Sequence, residues 1–534
     1  MHYTLFQFSL LLSAAFLLIL LARRLKIAYP IFLVLAGLAV SIIPGMPVIN
    51  IEPDLVFLIF LPPLLYEAAW WTSWNEFWKW KRPIALLAFG LVFFTSTVVA
   101  YTASNFIPGF TLATGFLLGG IISPPDAIAA TSVLKSISVP KRIITILEGE
   151  SLVNDASSLI VFRFALAAAV AGSFSFQQAS VSFVSVTLMG IVIGLAVAHV
   201  MYLIHRFLPT TASIDSAFTL ISPYLMYLLA EEFHFSGVMA VVSGGLFLSY
   251  RSHEIFTDGQ SRLQTINVWS TLSIILNGLV FILIGLELPT IVAGLEGYSL
   301  SEALKYGLLV SALVIFIRMA WIYPGTFIPR WLSKRVRDRE PNPGWKGSFI
   351  IGWAGMRGVV SLAAALSIPL ALDNGKPVPE RNLIIFITFV VILVTLVFQG
   401  LTLPLIIKAL KIQEIDPMLP EEQQEAEIRL RLINVALNRL EEKHAEAIEN
   451  NDLLIGLKAE LENHLTHTNR KLECMDCVEK DQKELQVYKR VLKDVYRAQR
   501  LELFHIRKQK EYSDEAIRRE EMQVDIAELR ITNR

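Results

Sequence analysis

The chain has 534 residues, 54% of them hydrophobic and 18% charged, with 47 basic residues balanced by 47 acidic ones. A soluble globular protein carries about 25% charged residues, so the composition excludes an ordinary soluble enzyme. A formal net charge of zero offers no basic footprint for nucleic acid. The balance hides a division: 46 of the Asp, Glu, Lys and Arg residues fall within 1–411 and 48 within the 123 residues that follow. The expectation is a membrane domain over 1–411 and a soluble, highly charged domain over 412–534.

A helix needs about 20 predominantly apolar residues to cross a hydrocarbon core of about 30 Å. Thirteen stretches answer that description, at roughly 4–22, 28–43, 54–71, 82–107, 111–137, 142–172, 179–207, 214–232, 235–251, 262–290, 299–330, 345–371 and 381–410. The first is followed, not preceded, by Arg23, Arg24 and Lys26. That is the reverse of a secretory signal, and it reads as a retained span with its N-terminus outside. Lys and Arg collect in cytoplasmic loops. Alternate loops carry Arg23, Arg24 and Lys26; Lys79, Lys81 and Arg82; Lys135, Lys141 and Arg142; Arg206; Arg251 and Arg262; and a run from Arg330 to Lys346. The loops between them offer little beyond Lys305, Lys376 and Arg381. An odd number of spans then places 412–534 in the cytoplasm of a multi-pass cell-membrane protein. Trp70, Trp71, Trp74, Trp78 and Trp80 read as an interfacial aromatic belt.

Two spans are interrupted. Ser123 to Asp126 reads SPPD, and two prolines inside an apolar run break a helix. Free backbone groups at membrane depth are tolerated only in protein or along a cavity. Glu148 to Asp155, reading EGESLVND, brings further charge into the same apolar region. Intramembrane charges are costly, rare and usually functional, so Asp126 and Asp155 are expected to meet at a small hydrated cavity holding a cation. The second interruption is at 345–371, where Gly352, Gly355 and Gly358 loosen the helix around Arg357. Spans five and twelve correspond if spans one to six and eight to thirteen are two inverted halves, and paired interruptions point to a transport site near the midplane. The expected fold is an all-α membrane protein of about 13 transmembrane helices in two inverted six-helix halves, its two broken helices crossing near the midplane, with a helical cytoplasmic domain.

LPPLLYEAAW (61–70), GGIISPPDAIAA (119–130), EGESLVNDASSLIVF (148–162), WSTLSIILNGLVFILIGLEL (269–288), GWAGMRGVVSLAAAL (352–366) and VFQGLTLPL (397–405) occur in this order. Together they resemble signatures of the sodium/proton exchanger family, over about 400 residues. The resemblance implies an antiporter of Na⁺, or K⁺ or Li⁺, against H⁺. It further implies a homodimer in which a core bundle, about 82–172 and 299–410, moves like an elevator against a dimerisation bundle, about 1–71 and 179–290. No cofactor is implied; the partners are monovalent cations, protons, the lipid bilayer and a second copy.

Asp155 is the expected carrier, because a carboxylate that holds either a hard cation or a proton, but not both, couples the two fluxes by competition. A structural ion pair is the alternative use of such a carboxylate. Asn154 resembles the Asn-Asp type of the family, which implies electroneutral one-for-one exchange, with the amide bracing the site. The resemblance suggests that Asp126 orders the site through backbone or water. Ser151, one turn before Asp155 on the same face, is an expected oxygen ligand. Pro124 and Pro125 depart from related sequences in which Thr precedes the Asp, so no side-chain ligand is expected there.

By resemblance Glu150 pairs with Arg318 in a structural role, since it lies about 500° round the helix from Asp155. Arg357 is expected to neutralise half-helix ends at the second break. Glu67 reads equally as an access-funnel acid or an interfacial one, Arg163 as a charge facing the site, and Glu287 as interfacial.

The C-terminal domain shows helical apolar periodicity, as in IRLRLINVALNRL, which suits a bundle with a regulatory or dimer-contact role. His464, His467, Cys474 and Cys477 are four ligand types that suit a tetrahedral zinc site, although no fold signature accompanies them. A cation channel or an ion- or pH-sensing protein signalling through 412–534 is the alternative to antiport. A membrane enzyme is disfavoured, because His199, His205 and His234 lie near span ends and no catalytic cluster is evident.

Overall fold

The structure, a computed structural model, describes the chain apart from residues 1, 44–52, 135–136, 138, 172–175, 257–258, 296, 341, 371–377, 379, 413–420, 450, 474–479, 510–511 and 533–534. The described residues are helical, without strands, and form two compact units, Met1–Asp416 and Pro417–Arg534.

The first unit runs through α1 (His2–Leu25), α2 (Tyr29–Ser41), α3 (Pro53–Trp71), α4 (Trp74–Lys79), α5 (Lys81–Ala85), α6 (Val92–Phe106), α7 (Leu112–Ile122), α8 (Ala127–Leu134), α9 (Lys141–Ala171), α10 (Phe176–Phe207), α11 (Ala212–Glu232) and α12 (Gly237–Tyr250). It continues through α13 (Ser252–Ile255), α14 (Gly259–Leu286), α15 (Leu288–Ala293), α16 (Leu300–Leu332), α17 (Lys334–Arg339), α18 (Gly344–Trp353), α19 (Val359–Leu366), α20 (Arg381–Leu393) and α21 (Gly400–Leu410). Among the described residues nine helical stretches are long and apolar enough to cross a membrane, and α2 and α12 are shorter apolar helices. Exposed Phe6, Leu17 and Leu20 on α1, and Val184, Leu188 and Val192 on α10, give this unit an apolar exterior.

Packing divides these helices into two sets. In one, α6 lies against α7, α7 against α9, and α16 against α18 and α20; in the other, α2 lies on α14, α3 on α12, and α10 and α11 on each other and on α12. Small residues allow close approach where no water drives association. At Gly37 on α2 and Gly285 on α14, a Cβ would collide with the facing backbone, at Ile282 O and Leu38 N respectively.

Two wide π-turns, Leu86–Leu91 against α9 and Val394–Gln399 beside the second interruption, vary the helices around the crossing. Such turns alter the regular ladder and recur at functional sites. Ser157 Oγ donates to Ala88 O at 2.5 Å in the first, and Thr395 Oγ1 in the second accepts from Arg357 N at 3.0 Å.

The aromatic belt needs one correction. Trp71, Trp74 and Trp78 are exposed, but Trp80 is 2% exposed. Its Nε1 donates to Glu76 Oε2 at 3.2 Å and the Arg142 guanidinium lies 4.8 Å from its ring, so it packs inside the helix ends.

The second unit contains α22 (Glu421–Glu449), α23 (Asp452–Glu473), α24 (Lys480–Gln509) and α25 (Asp514–Thr532), with α22 packed on α23 and α24 on α25. Ion pairs tie each couple, Lys458 to Glu441 at 2.9 Å and Arg507 to Glu521 at 2.8 Å. His464 and His467 lie on α23, whereas Cys474 and Cys477 lie outside the described residues, and with them the zinc site.

Candidate functional site

The prolines end α7 at Ile122, and α8 resumes at Ala127; α18 ends at Trp353, and α19 resumes at Val359. The two gaps satisfy each other's backbone. Asp126 N donates to Met356 O at 2.7 Å, and the buried Arg357 reaches back with Nε on Ile122 O at 2.7 Å and Nη1 on Gly355 O. Arg357 is thus placed on the last carbonyl of α7, where the macrodipole is negative, and on the Gly355 carbonyl two residues past the end of α18.

Asp126 lies at the opposite ends. Its Oδ1 accepts from Ile128 N at 2.8 Å at the start of α8, and the carboxylate rests against Gly358 at the start of α19, where a Cβ would collide with it. A carboxylate offsets the positive N-terminal dipole. The crossing therefore carries one cation and one anion, each placed on the matching helix ends.

The helix α9 passes beside the crossing and presents three side chains to it. Ser151 Oγ accepts from Ala127 N at 3.2 Å, and the fully buried Asn154 donates through Nδ2 to Pro125 O at 3.1 Å. Asp155 is 7% exposed and, among the described residues, no donor lies on its carboxylate. A cavity of about 350 Å³ opens onto Asp126, Ser151 and Asp155. Side chains of the other helix set complete it, Tyr29 from α2, Leu64 from α3 and Asn277 from α14. Residues Glu148, Ser151, Leu152 and Asp155 all line it, the i, i+3, i+4, i+7 spacing of one helix face.

Glu150 points away from this face. Its carboxylate meets the Arg318 guanidinium in two bonds, at 2.5 and 2.8 Å, and Arg318 also donates to Ile351 O at 3.0 and 3.2 Å. The remaining intramembrane charges separate. Glu67 is half-buried and lines the cavity. Arg163 does not line it. That side chain pairs with Glu231 at 2.5 Å, since eight residues beyond Asp155 is about 80° round the helix and turns it towards α11. Glu287 is 6% exposed, and α15 continues the apolar stretch past it to Ala293.

Five serine, threonine or asparagine residues of the cavity wall, Thr131, Ser132, Ser273, Asn277 and Ser361, are not marked by the sequence reading. Asn277 stands alone in the apolar run IILNGLVF, the one local sign that could have marked it. Its Nδ2 donates to Ser273 Oγ at 3.1 Å.

Comparison with known proteins follows the same lines. A family model described as "Sodium/hydrogen exchanger, transmembrane" matches residues 11–409. The chain is 35% identical over 388 residues to the "Sodium, potassium, lithium and rubidium/H(+) antiporter" of Bacillus pumilus, covering 71% of this chain and 58% of that one. It is 31% identical over 449 residues to the "Low-affinity Na(+)/H(+) antiporter NhaS1" of Synechocystis sp., covering 82% and 81%. It is also 29% identical over 498 residues to the "Uncharacterized Na(+)/H(+) exchanger YjcE" of Escherichia coli, covering 90% of each. The two Bacillus relatives are longer proteins, of which the chain spans 58%. The solved sodium proton antiporter MjNhaP1 of Methanocaldococcus jannaschii superposes with a TM-score of 0.58 at 21% identity, over 76% of this chain and 98% of that one, which shows a common fold. With motifs, broken-helix crossing and family match in agreement, the chain belongs to the sodium/hydrogen exchanger family.

Proposed function

We propose that this protein is a secondary active antiporter that exchanges Na⁺, K⁺ or Li⁺ for H⁺, one for one, by alternating access. The observation that carries the reading is Asp155, a carboxylate with no donor on it among the described residues, at the wall of a cavity that ends on two crossed broken helices. Asp126 is committed to the half-helix N-termini and Glu150 to Arg318, which leaves Asp155 to bind either a cation or a proton. Competition at one carboxylate couples the fluxes, and the neutral Asn154 beside it keeps the exchange electroneutral. The relatives named as antiporters of several alkali cations or of sodium support the substrate class.

The same proposal includes a homodimer and an elevator movement of about 82–172 and 299–410 against about 1–71 and 179–290. The support for the movement is the cavity itself, which lies between the two helix sets, with Asp155 and Ser361 from one and Asn277, Leu64 and Tyr29 from the other; the homodimer rests on the family resemblance. The proposed orientation has the N-terminus outside and the C-terminal domain in the cytoplasm. The cavity then opens inward, since Trp71, Ser132 and Glu148 line it near the Lys141 and Arg142 loop.

The test uses purified protein in proteoliposomes containing a pH-sensitive dye, with an imposed Na⁺ or K⁺ gradient. Cation-driven proton movement that disappears in Asp155→Asn, and is indifferent to a voltage clamp by ionophore, supports electroneutral antiport. Voltage-dependent exchange would remove the stoichiometry, and a cation conductance without proton movement would favour a channel.

A further inference from the structure

Among the polar side chains of the cavity wall, Ser361 is in an unusual position. The residue is 1% exposed and its hydroxyl has no hydrogen-bond partner among the described residues, yet it lines the same cavity as Ser151 and Asp155. A buried hydroxyl without a partner is costly, and native folds avoid it.

Neighbouring serines show the usual escape, a bond to a carbonyl one turn back. Ser158 reaches Asp155 O at 3.0 Å, Ser348 reaches Gly344 O at 3.2 Å, and Ser367 reaches Ala364 O at 2.9 Å. For Ser361 the residues three and four back are Gly358 and Arg357. Both lie in the gap between α18 and α19, and Gly358 has the non-helical backbone angles φ −137° and ψ −149°. The break that makes the crossing therefore also withholds the local acceptor from the hydroxyl of a residue that lines the cavity.

The other oxygens at the crossing are partly engaged. Asp126 Oδ1 takes Ile128 N, and Ser151 Oγ takes Ala127 N while keeping acceptor capacity. An alkali cation is a hard ion that collects several oxygen ligands, and a carboxylate with one hydroxyl is a sparse shell. We infer that Ser361 Oγ is an oxygen ligand of the transported cation, supplied by the second interrupted helix opposite Asp155 and Ser151 of α9. The assignment rests on the antiport reading and deepens it. Because a neutral oxygen at a set distance favours one ionic radius over another, Ser361 is also a selectivity residue.

The experiment compares wild type, Ser361→Ala, Ser361→Thr and Asp155→Asn as full-length protein in proteoliposomes, varying Na⁺, K⁺ and Li⁺ separately. Ser361→Ala is expected to raise the half-saturating cation concentration about tenfold, the worth of one oxygen contact, and to change the order of preference among the ions. Its maximal rate should stay within about twofold, as for a loss of uniform binding. Ser361→Thr, which keeps the oxygen, should retain affinity near wild type. An unchanged half-saturation and ion order in Ser361→Ala, where wild type exchanges and Asp155→Asn does not, overturns the Ser361 assignment alone. Equal impairment of the Ala and Thr variants with a lowered melting temperature also overturns it, in favour of packing. Absence of exchange by wild type overturns the antiport reading beneath it.

Discussion

Arg318 and Glu150 stand face to face in the interior of the first unit, 168 residues apart in sequence, with both side chains 1% exposed and paired at 2.5 and 2.8 Å. The remaining donor capacity of Arg318 is turned on Ile351 O, the third-last residue of α18. The pair therefore joins α9, which carries Asp155, to α16 and to the first half of the second broken helix.

Breaking this pair at one end leaves a bare charge in a dry interior, at a cost of about 3–5 kcal/mol. Arg318→Ala and Glu150→Gln should each lower the melting temperature and the yield in detergent, with little effect on ion order in the protein that folds. The double substitution Glu150→Leu, Arg318→Met should recover part of the loss, since an apolar pair of similar volume leaves no orphan charge. Thermal denaturation of the four proteins checks it. A stable Arg318→Ala with altered selectivity would place the pair in transport instead.

Arg357 binds the last carbonyl of α7 through Ile122 O and a carbonyl of the second gap through Gly355 O. Arg357→Lys keeps the charge but not the fork that serves two carbonyls at once. Exchange should fall at least tenfold, with Arg357→Ala lower still, and both should lose about 1.5–3 kcal/mol of stability for each charge-assisted bond removed. Exchange rates and melting curves taken together separate this from a purely interfacial arginine, for which Lys would substitute without loss.

Gly358 rests against the Asp126 carboxylate, and a Cβ there would overlap it. Gly358→Ala must displace the carboxylate or part the two breaks, although α19 itself should tolerate alanine well. Exchange is expected to drop more than tenfold with modest change in helicity, read by transport assay and circular dichroism. Wild-type rates in Gly358→Ala would show that the close approach has no part in the site.

Removing the second unit after Asp416 should leave a folded protein that still exchanges, because every residue at the crossing lies in the first unit. The expected change is in the pH profile or in dimer stability, measured by titrating exchange rate against pH and by mass analysis in detergent. Loss of all exchange in a well-folded truncation would assign the C-terminal helices a direct part in transport.

Much of this was legible in the chain itself, for a physical reason. Hydrocarbon demands apolar runs of about 20 residues and closed backbone hydrogen bonding. A proline pair at 124–125 and three glycines around Arg357 are thus visible interruptions, and the charges among them are conspicuous against an apolar background. Asp126, Asp155 and Arg357 stand out for that reason. Glu150 and Arg318 are conspicuous too, although only the family resemblance suggested that they pair.

What the tertiary structure alone decided is which groups meet. Azimuth on a helix turns by 100° per residue, so Arg163, assigned to the site from proximity in sequence, is carried round to Glu231. Glu287 looks terminal in a list of apolar residues, yet α15 continues past it and it is buried. Ser361 is an ordinary serine in an apolar segment until the gap before α19 withholds its carbonyl and leaves its hydroxyl without a partner among the described residues. Apolar periodicity and breaks are local properties that a sequence carries; the partner of a polar atom is set by the packing of helices hundreds of residues apart, which no local pattern encodes.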